Sequence, residues 1–223
     1  MHAELNYKGN QKAQYYPHNQ CNREQSLMAF LLMNNNTNLS IISSLFYGIL
    51  QTEILCSKCK RTFYSFQYFQ FIALSMKKYK DDFFNLYKGL MDYQEKILLK
   101  DDNQYFCNYC NELNDAEFCN KICYAPPYLL INIDYGKNKS YQPNQVDFGL
   151  EFDLTNFICN NNNEYSIYEL ICVCTHMGHS GRSGHYIAKC KRKDGKWYRF
   201  NDSSFKECDE HDIYNDSPYL LLY

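Results

Sequence analysis

The sequence predicts an α+β fold made of antiparallel sheets and a few short helices, with a zinc-ribbon-like tip. Three observations carry this expectation. Two Cys-x-x-Cys pairs, Cys56-Ser-Lys-Cys59 and Cys107-Asn-Tyr-Cys110, have the spacing of metal knuckles. Residues 48–55 and 148–154 alternate apolar and polar side chains, as half-buried strands do. Residues 176–202 read as a Gly-rich turn, a strand, a tight turn at Asp194-Gly195 and a returning strand.

In chain order, the first 22 residues show no core pattern, and Tyr15 to Asn19 reads as loop. A helix is expected over 22–33, with Asn22 as cap, Gln25 as capping-box partner, and Leu27, Phe30 and Leu31 on one face. The Asn-rich run from Asn34 to Asn38 ends it, and Ile41, Ile42, Leu45 and Phe46 suggest a second short helix. The strand over 48–55 runs into the first cysteine pair. Between the pairs, a long aromatic strand is expected over 63–76. A helix over 82–95 follows, capped by Asp82, with Phe83, Phe84, Leu86 and Leu90 apolar. Cys119 and Cys123 read as core thiols on a strand. A buried strand over 126–133 enters through Pro126 and Pro127, and 136–146 is a polar loop. An Asn-rich loop is expected at 160–163, and an apolar strand over 165–175. Cys172 and Cys174 share one face of that strand, where thiols usually pack.

Composition narrows the function classes. The chain has 223 residues, 45% hydrophobic and 17% aromatic, with a formal charge of −2. That length can bury a proper core, and near-neutrality gives no support for a nucleic acid or a membrane surface as the main partner. The 22 Tyr and 15 Phe are core and binding-face material, because no basic patch interleaves with them. No leader-like start and no membrane-length apolar run is present, so the twelve cysteines point to thiols and metal sites in an intracellular protein, cytoplasmic or nuclear. There is no internal repeat, phosphate-binding glycine loop or serine nucleophile elbow.

Two knuckles suit one tetrahedral zinc, because each tight turn presents two thiolates to one ion. Four structural thiols or a redox Cys-x-x-Cys are the alternatives. With no histidine or carboxylate nearby, Cys56, Cys59, Cys107 and Cys110 would leave no open coordination position, and their sulfurs should converge within about 4 Å. The other chemistry lies at the hairpin mouth, where the returning strand brings Asn201 and Asp202 to the end that carries His185. An imidazole beside an amide or carboxylate is how an enzyme orients a general base.

Gly184-His185-Tyr186-Ile187-Ala188, followed by Trp197, Phe200, Asn201, Asp202, Ser203 and Ser204, resembles the histidine box of the ubiquitin-specific proteases. These are papain-like cysteine proteases that cleave the bond after the C-terminal Gly-Gly of ubiquitin. The resemblance implies that His185 is the general base, that Asn201 orients it, and that Asp202 is the neighbouring acidic residue. It makes the paired cysteines the zinc-pinned tip of the fingers, and Pro218 to Tyr223 the last strand. The implied layout is a remnant helical thumb segment and insert over 1–47, fingers over 48–125 and a palm with the histidine box over 126–223. His2 to Asn6 is similar to a helical run that follows the catalytic cysteine in that family. Two departures stand out: Asp134-Tyr135-Gly136 replaces a Lys-Arg-Phe, and the Gly-x-x-x-Asn-x-Cys box is absent. Cys21 lacks the flanking asparagine spacing, so no cysteine of this chain is expected to reach His185, and the chain is expected to be inactive as written. The readings are the C-terminal part of an active deubiquitinase with its cysteine box upstream, a non-catalytic ubiquitin-binding pseudoprotease or interaction module, or a zinc-stabilised structural or nucleic-acid-binding domain unrelated to ubiquitin. For the last, only Lys58, Lys60 and Arg61 supply charge near the knuckles.

Overall fold

The structure, a computed structural model, describes residues 22–34, 40–79, 83–136, 146–160, 163–180 and 183–223. Helices α1 (Arg23–Asn34) and α2 (Ile41–Phe46) lead into β1 (Gly48–Cys56), β2 (Thr62–Phe69), β3 (Ile72–Ser75) and β4 (Phe84–Asn85). Then come α3 (Leu86–Tyr93), β5 (Ile97–Leu99), β6 (Tyr105–Cys107), β7 (Glu112–Asn114), β8 (Ala116–Tyr124) and β9 (Leu130–Asp134). The short strands β10 (Val146–Asp147), β11 (Glu151–Asp153) and β12 (Ile167–Glu169) precede β13 (Cys172–Ser180), β14 (Ser183–Lys191), β15 (Trp197–Asn201), β16 (Ser204–Cys208) and β17 (Pro218–Leu222). The chain divides into two compact units. One holds the described residues up to Phe69 with Tyr93–Pro127 and Asn156–Tyr165; the other holds Gln70–Asp92, Tyr128–Thr155 and Ser166–Tyr223. Among the described residues no helix is long and apolar enough to cross a membrane.

The first unit is built on an antiparallel sheet in the order β2-β1-β8-β5. Asn22 caps α1 as expected, its Oδ1 accepting the Gln25 N–H at 3.0 Å. The apolar face of α1 covers the sheet. Phe30 packs with Ile49, Phe66 and Cys123, flanked by Leu27 and Leu31, and its ring centroid lies 4.9 Å from that of Tyr68. Ser40 and Ser43 exchange capping bonds at the start of α2. The β1–β2 turn carries the first cysteine pair, and the β6–β7 hairpin carries the second.

The second unit is a seven-stranded sheet in the order β16-β15-β14-β13-β17-β9-β3, antiparallel except for the β3–β9 pair. The final strand is internal, between β13 and β9. Leu129 and Tyr223 exchange backbone bonds of 2.8 and 2.9 Å, and the Tyr223 hydroxyl donates to the Gly149 carbonyl. Ile72, Leu74, Ile131, Ile133, Val173, Ile187 and Leu221 are buried on this sheet.

Three expected elements differ from the structure. The strand over 63–76 is two strands in two sheets, broken at Gln70-Phe71. Its burial changes phase there, from Phe63, Phe66 and Phe69 to strict alternation of Ile72, Leu74 and Met76. The helix over 82–95 begins only at Leu86, because Phe84-Asn85 pairs with Val146-Asp147 and the Asn85 Oδ1 takes the Tyr87 N–H at 2.8 Å. Phe84 is fully buried where Gly89 has no Cβ to fend off its ring, while Phe83 is exposed; Asp82 lies outside the described residues. The strand over 165–175 is likewise split at Leu170-Ile171, whose N–H groups go to Leu150 and Leu222. An unanticipated strand, β16, is an exposed sheet edge whose Ser-Phe-Lys-Glu sequence has no buried face to imprint a pattern.

Candidate functional site

The β14–β15 hairpin turns as its sequence predicts. The Arg192 N–H donates to the Lys196 carbonyl at 2.9 Å, and Gly195 takes φ +80°, a region that disfavours a Cβ. The register pairs Ala188 with Phe200 and Lys189 with Arg199. Ile187 is therefore level with Asn201, and His185, two residues further along, is its diagonal neighbour on the same face. Asn201 pairs with Ser204, and the tight turn between them puts Asp202 at φ +49°, which an Asp tolerates. The hairpin mouth thus gathers His185, Asn201 and Asp202.

His185 Nε2 hydrogen-bonds Asn201 Oδ1. An amide oxygen can only accept, so Nε2 carries the proton and the Nδ1 lone pair remains for acid–base work. Asp202 Oδ2 lies 4.0 Å from Nδ1, with the Asp202 side chain 80% exposed and that of His185 42% exposed. At that separation and exposure Asp202 adds a screened charge and no hydrogen bond. The face matters for the thiols. Met177 is level with His185, whereas Cys172 is level with Cys190 and Cys174 with Ala188. Cys172, Cys174 and Cys190 therefore sit on the opposite face of the sheet from His185. Tyr186 is on that opposite face too, with its ring 4.6 Å from that of His176 and 5.7 Å from that of Tyr219.

The sulfurs of Cys56, Cys59, Cys107 and Cys110 all lie within 4.8 Å of one another, with Cys59 and Cys107 at 3.8 Å. A tetrahedron with Zn–S bonds of about 2.3 Å has edges of about 3.8 Å, so the four-thiol donor set and the Cys59–Cys107 spacing fit zinc, while the cluster as a whole is looser than the expected ~4 Å. The two knuckles have the same backbone. The Lys60 N–H donates to the Cys56 carbonyl at 3.0 Å and the Asn111 N–H to the Cys107 carbonyl at 2.8 Å; both donor residues stand at φ +57°. Each left-handed residue closes its turn so that both sulfurs point inward. Burial pushes the Cys56 thiol up, but the N–H groups of Cys59 and Lys58 and the thiols of Cys59 and Cys107 outweigh it and bring it down to about 7. Burial and the neighbouring thiols push Cys110 up to about 12. Across the knuckles the Arg61 guanidinium stacks 3.4 Å over the Tyr109 ring, and Lys58 pairs with Glu112.

A family model described as ubiquitin carboxyl-terminal hydrolase matches residues 6–223. The chain belongs to the ubiquitin carboxyl-terminal hydrolase family. Among curated relatives it is 29% identical over 188 residues to probable ubiquitin carboxyl-terminal hydrolase 16 of Schizosaccharomyces pombe, covering 82% of this chain and 40% of that protein. It is 28% identical over 206 residues to ubiquitin carboxyl-terminal hydrolase 8 of Saccharomyces cerevisiae, covering 85% of this chain and 42% of that protein. A similar solved structure is the SAGA Ubp8/Sgf11/Sus1/Sgf73 DUB module bound to ubiquitin aldehyde, with TM-score 0.69 and 26% identity over 90% of this chain and 46% of the other. A SAGA DUB module bound to monoubiquitin gives TM-score 0.69 and 28% identity, over 90% and 45% of the two chains. This chain thus spans less than half the length of these relatives.

Sequence reasoning does not find everything at these two sites in the hydrolase-family fold. The left-handed positions Lys60 and Asn111 go unnoticed, although an Asn directly after a Cys-x-x-Cys is a usable signal for one of them. Lys189, buried and bonded to the Asp212 carbonyl and the Asp216 carboxylate, looks in sequence like any polar strand residue. Cys159 and Arg23 carry no motif at all.

Proposed function

We propose that this chain is the fingers and base-bearing portion of a cysteine-type deubiquitinase that cleaves the bond after the C-terminal glycine of ubiquitin. The observation that carries the reading is the His185–Asn201 pair. The amide holds Nε2–H, so Nδ1 is the base. In this reading Nδ1 takes the proton of a cysteine thiol, the thiolate attacks the glycine carbonyl, and the imidazolium then protonates the departing lysine amine. Asn201 fixes the ring through both proton transfers, and Asp202 contributes only a screened charge at the mouth. In this reading the thiol comes from polypeptide other than the described residues; Cys21 lies outside them, and its sequence lacks the asparagine spacing of a cysteine box. The sheet's cysteines nearest in sequence, Cys172, Cys174 and Cys190, are on the wrong face, and Cys208, level with Trp197, is at the far end of its strand. Cys56, Cys59, Cys107 and Cys110 hold a structural zinc that stabilises the tip. The setting is intracellular, where thiols stay reduced.

The test uses a ubiquitin C-terminal electrophile. The 223-residue chain should bind ubiquitin and fail to label. A longer polypeptide that adds a cysteine box should label, and should lose turnover on His185→Ala. Labelling of the 223-residue chain at any cysteine overturns the assignment of an external thiol. Failure of a cysteine-bearing polypeptide to label, with ubiquitin still bound, favours the non-catalytic ubiquitin-binding module.

A further inference from the structure

Cys123 and Cys159 lie apart from both sites, and an arginine joins them. Arg23, the first residue of α1, donates from Nε to Gln51 Oε1 at 2.6 Å, and its Nη2 reaches Cys123 Sγ at 3.5 Å and Cys159 Sγ at 3.9 Å. A guanidinium has donors and no acceptors, so two sulfurs as its partners lower the energy of a thiolate. The carboxylate of this network, Glu53, is already matched: Lys121 Nζ meets its two oxygens at 2.9 and 2.8 Å, and Gln51 Nε2 donates to it at 2.6 Å. Gln51, itself 1% exposed, stands between that ion pair and the guanidinium. The charge of Arg23 is thereby aimed at sulfur, and it outweighs the bond that the Cys159 thiol donates to Gln51 Oε1 at 3.7 Å, which ionisation gives up.

We propose that Cys159 and Cys123 form a peroxide-reactive dithiol, with Cys159 the attacking sulfur, Cys123 the resolving sulfur and Arg23 the activating cation. Exposure assigns the roles, since Cys159 is partly exposed and Cys123 fully buried. The backbone fixes their proximity. Ile158 bridges Ile122 on β8, and the Cys159 N–H donates to the Ile122 carbonyl at 2.8 Å, next to Cys123. The Cys123 sulfur, with Arg23 and Lys121 behind it, holds Cys159 below the ordinary thiol range against the opposing effect of burial, while the Cys159 sulfur and burial push Cys123 up.

The chemistry balances with hydrogen peroxide as the oxidant. The Cys159 thiolate attacks one peroxide oxygen, an S–O bond forms, the O–O bond breaks, and the released hydroxide becomes water with the proton that Cys159 gave up on ionising. The Cys123 thiol then attacks the Cys159 sulfur, an S–S bond forms, and the S–O bond breaks. The hydroxide leaves with the Cys123 proton as a second water. Two thiols have lost two electrons and one peroxide has gained them. The product staples β8 to the Asn156–Tyr165 segment of the same unit.

A second thiol pair in the molecule is the internal control. Cys172 and Cys190 are level on β13 and β14 with sulfurs 3.1 Å apart, and only burial and neighbouring thiols act on their ionisation. Reduced, zinc-loaded 223-residue protein would be given less than one equivalent of hydrogen peroxide, quenched with N-ethylmaleimide and mapped by peptide mass. The Cys123–Cys159 disulfide should form before any Cys172–Cys190 disulfide. Arg23→Gln should slow the first about tenfold, since a thiolate gained by a lowered pKa is partly offset by lower nucleophilicity, and should leave the second unchanged. Arg23→Lys should retain part of the rate, and Cys123→Ser should leave Cys159 as a sulfenic acid trapped by dimedone. The proposal is overturned if Cys172–Cys190 reacts first, or if no dimedone adduct appears on Cys159. It is equally overturned if Arg23→Gln leaves the rate unchanged or raises it, because exposure rather than charge would then govern reactivity.

Discussion

Asn201 Oδ1 meets His185 Nε2 across the β14–β15 pair, while Asp202, one residue further on, reaches only to 4.0 Å from Nδ1. The turn that begins at Asn201 explains the difference. It leaves Asn201 on the ladder face beside His185 and swings Asp202 into the left-handed region at φ +49°, out toward solvent. A neutral amide orients the imidazole without adding a formal charge beside it.

The first prediction tests that division of labour. Asn201→Asp places a carboxylate against Nε2 and should favour imidazolium over the parent, since an adjacent opposite charge stabilises it. Asp202→Asn should have a much smaller effect, because its charge is screened at the surface. Nitrogen–proton NMR of the imidazole reads both the protonation state and the tautomer. In the parent the Nε2–H form should dominate, and Asn201→Ala should mix the tautomers. Equal shifts from Asn201→Asp and Asp202→Asn would show Asp202 to be an equal partner.

Metal retention should depend on pH with a definite sign. Thiolates bind zinc and thiols do not, so each ligand that must lose a proton makes affinity fall as pH falls. Cys56, already lowered to about 7, ionises most readily, while Cys110, pushed up to about 12, gives up its proton only to the metal. Competition with a chelator should therefore strip the ion more easily at pH 6 than at pH 8. Cys110→Ser should weaken binding and lower the Tm, and the ion should be found at one per chain by elemental analysis. A Tm indifferent to chelator at both pH values would remove the structural role.

Gly48 should resist substitution. A Cβ there would meet the Tyr124 carbonyl oxygen at 2.7 Å and run into the buried Phe69 ring opposite. Gly48→Ala should cost about 1–3 kcal/mol in urea unfolding, the range for overpacking a closed site. A loss within a few tenths of a kcal/mol would mean that Phe69 swings aside freely.

How much of this was legible in the sequence follows from what each feature depends on. The knuckles and the hairpin are local, with spacing and turn residues that write themselves into consecutive positions, and both were readable from Cys56 to Cys59 and from His185 to Asn201. The cap of α1 at Asn22 was equally local. What escaped depends on partners distant in the chain. Gln70-Phe71 breaks an aromatic run because Phe69 pairs with Gly48 while Ile72 pairs with Ile131, in different sheets. Phe84 joins a strand because Val146 is there to pair with it. Arg23 meets Cys159 only once α1 lies on β1 and β8, and no periodicity in either segment announces it.

Lys189 supplies the last prediction, because it is a charge that the fold itself buries. Its side chain is 4% exposed on β14, and Nζ donates to the Asp212 carbonyl at 2.5 Å and to Asp216 Oδ2 at 2.7 Å. These bonds tie the loop before the last strand to the strand that bears His185. Lys189→Met removes the ammonium and leaves two acceptors facing an apolar side chain. The expected cost is about 2–3 kcal/mol, less than the roughly 3–5 of a wholly buried pair because water can still reach the carboxylate. That carboxylate is 35% exposed. Asp216→Asn keeps an acceptor oxygen and should cost less, and the double variant should be more stable than the sum of the two losses predicts. The coupling should fall with salt only modestly, since Lys189 is buried while the carboxylate is partly open to solvent ions. A Lys189→Met variant within about 0.5 kcal/mol of the parent would mean that the ion pair contributes only orientation, and that packing alone holds the loop.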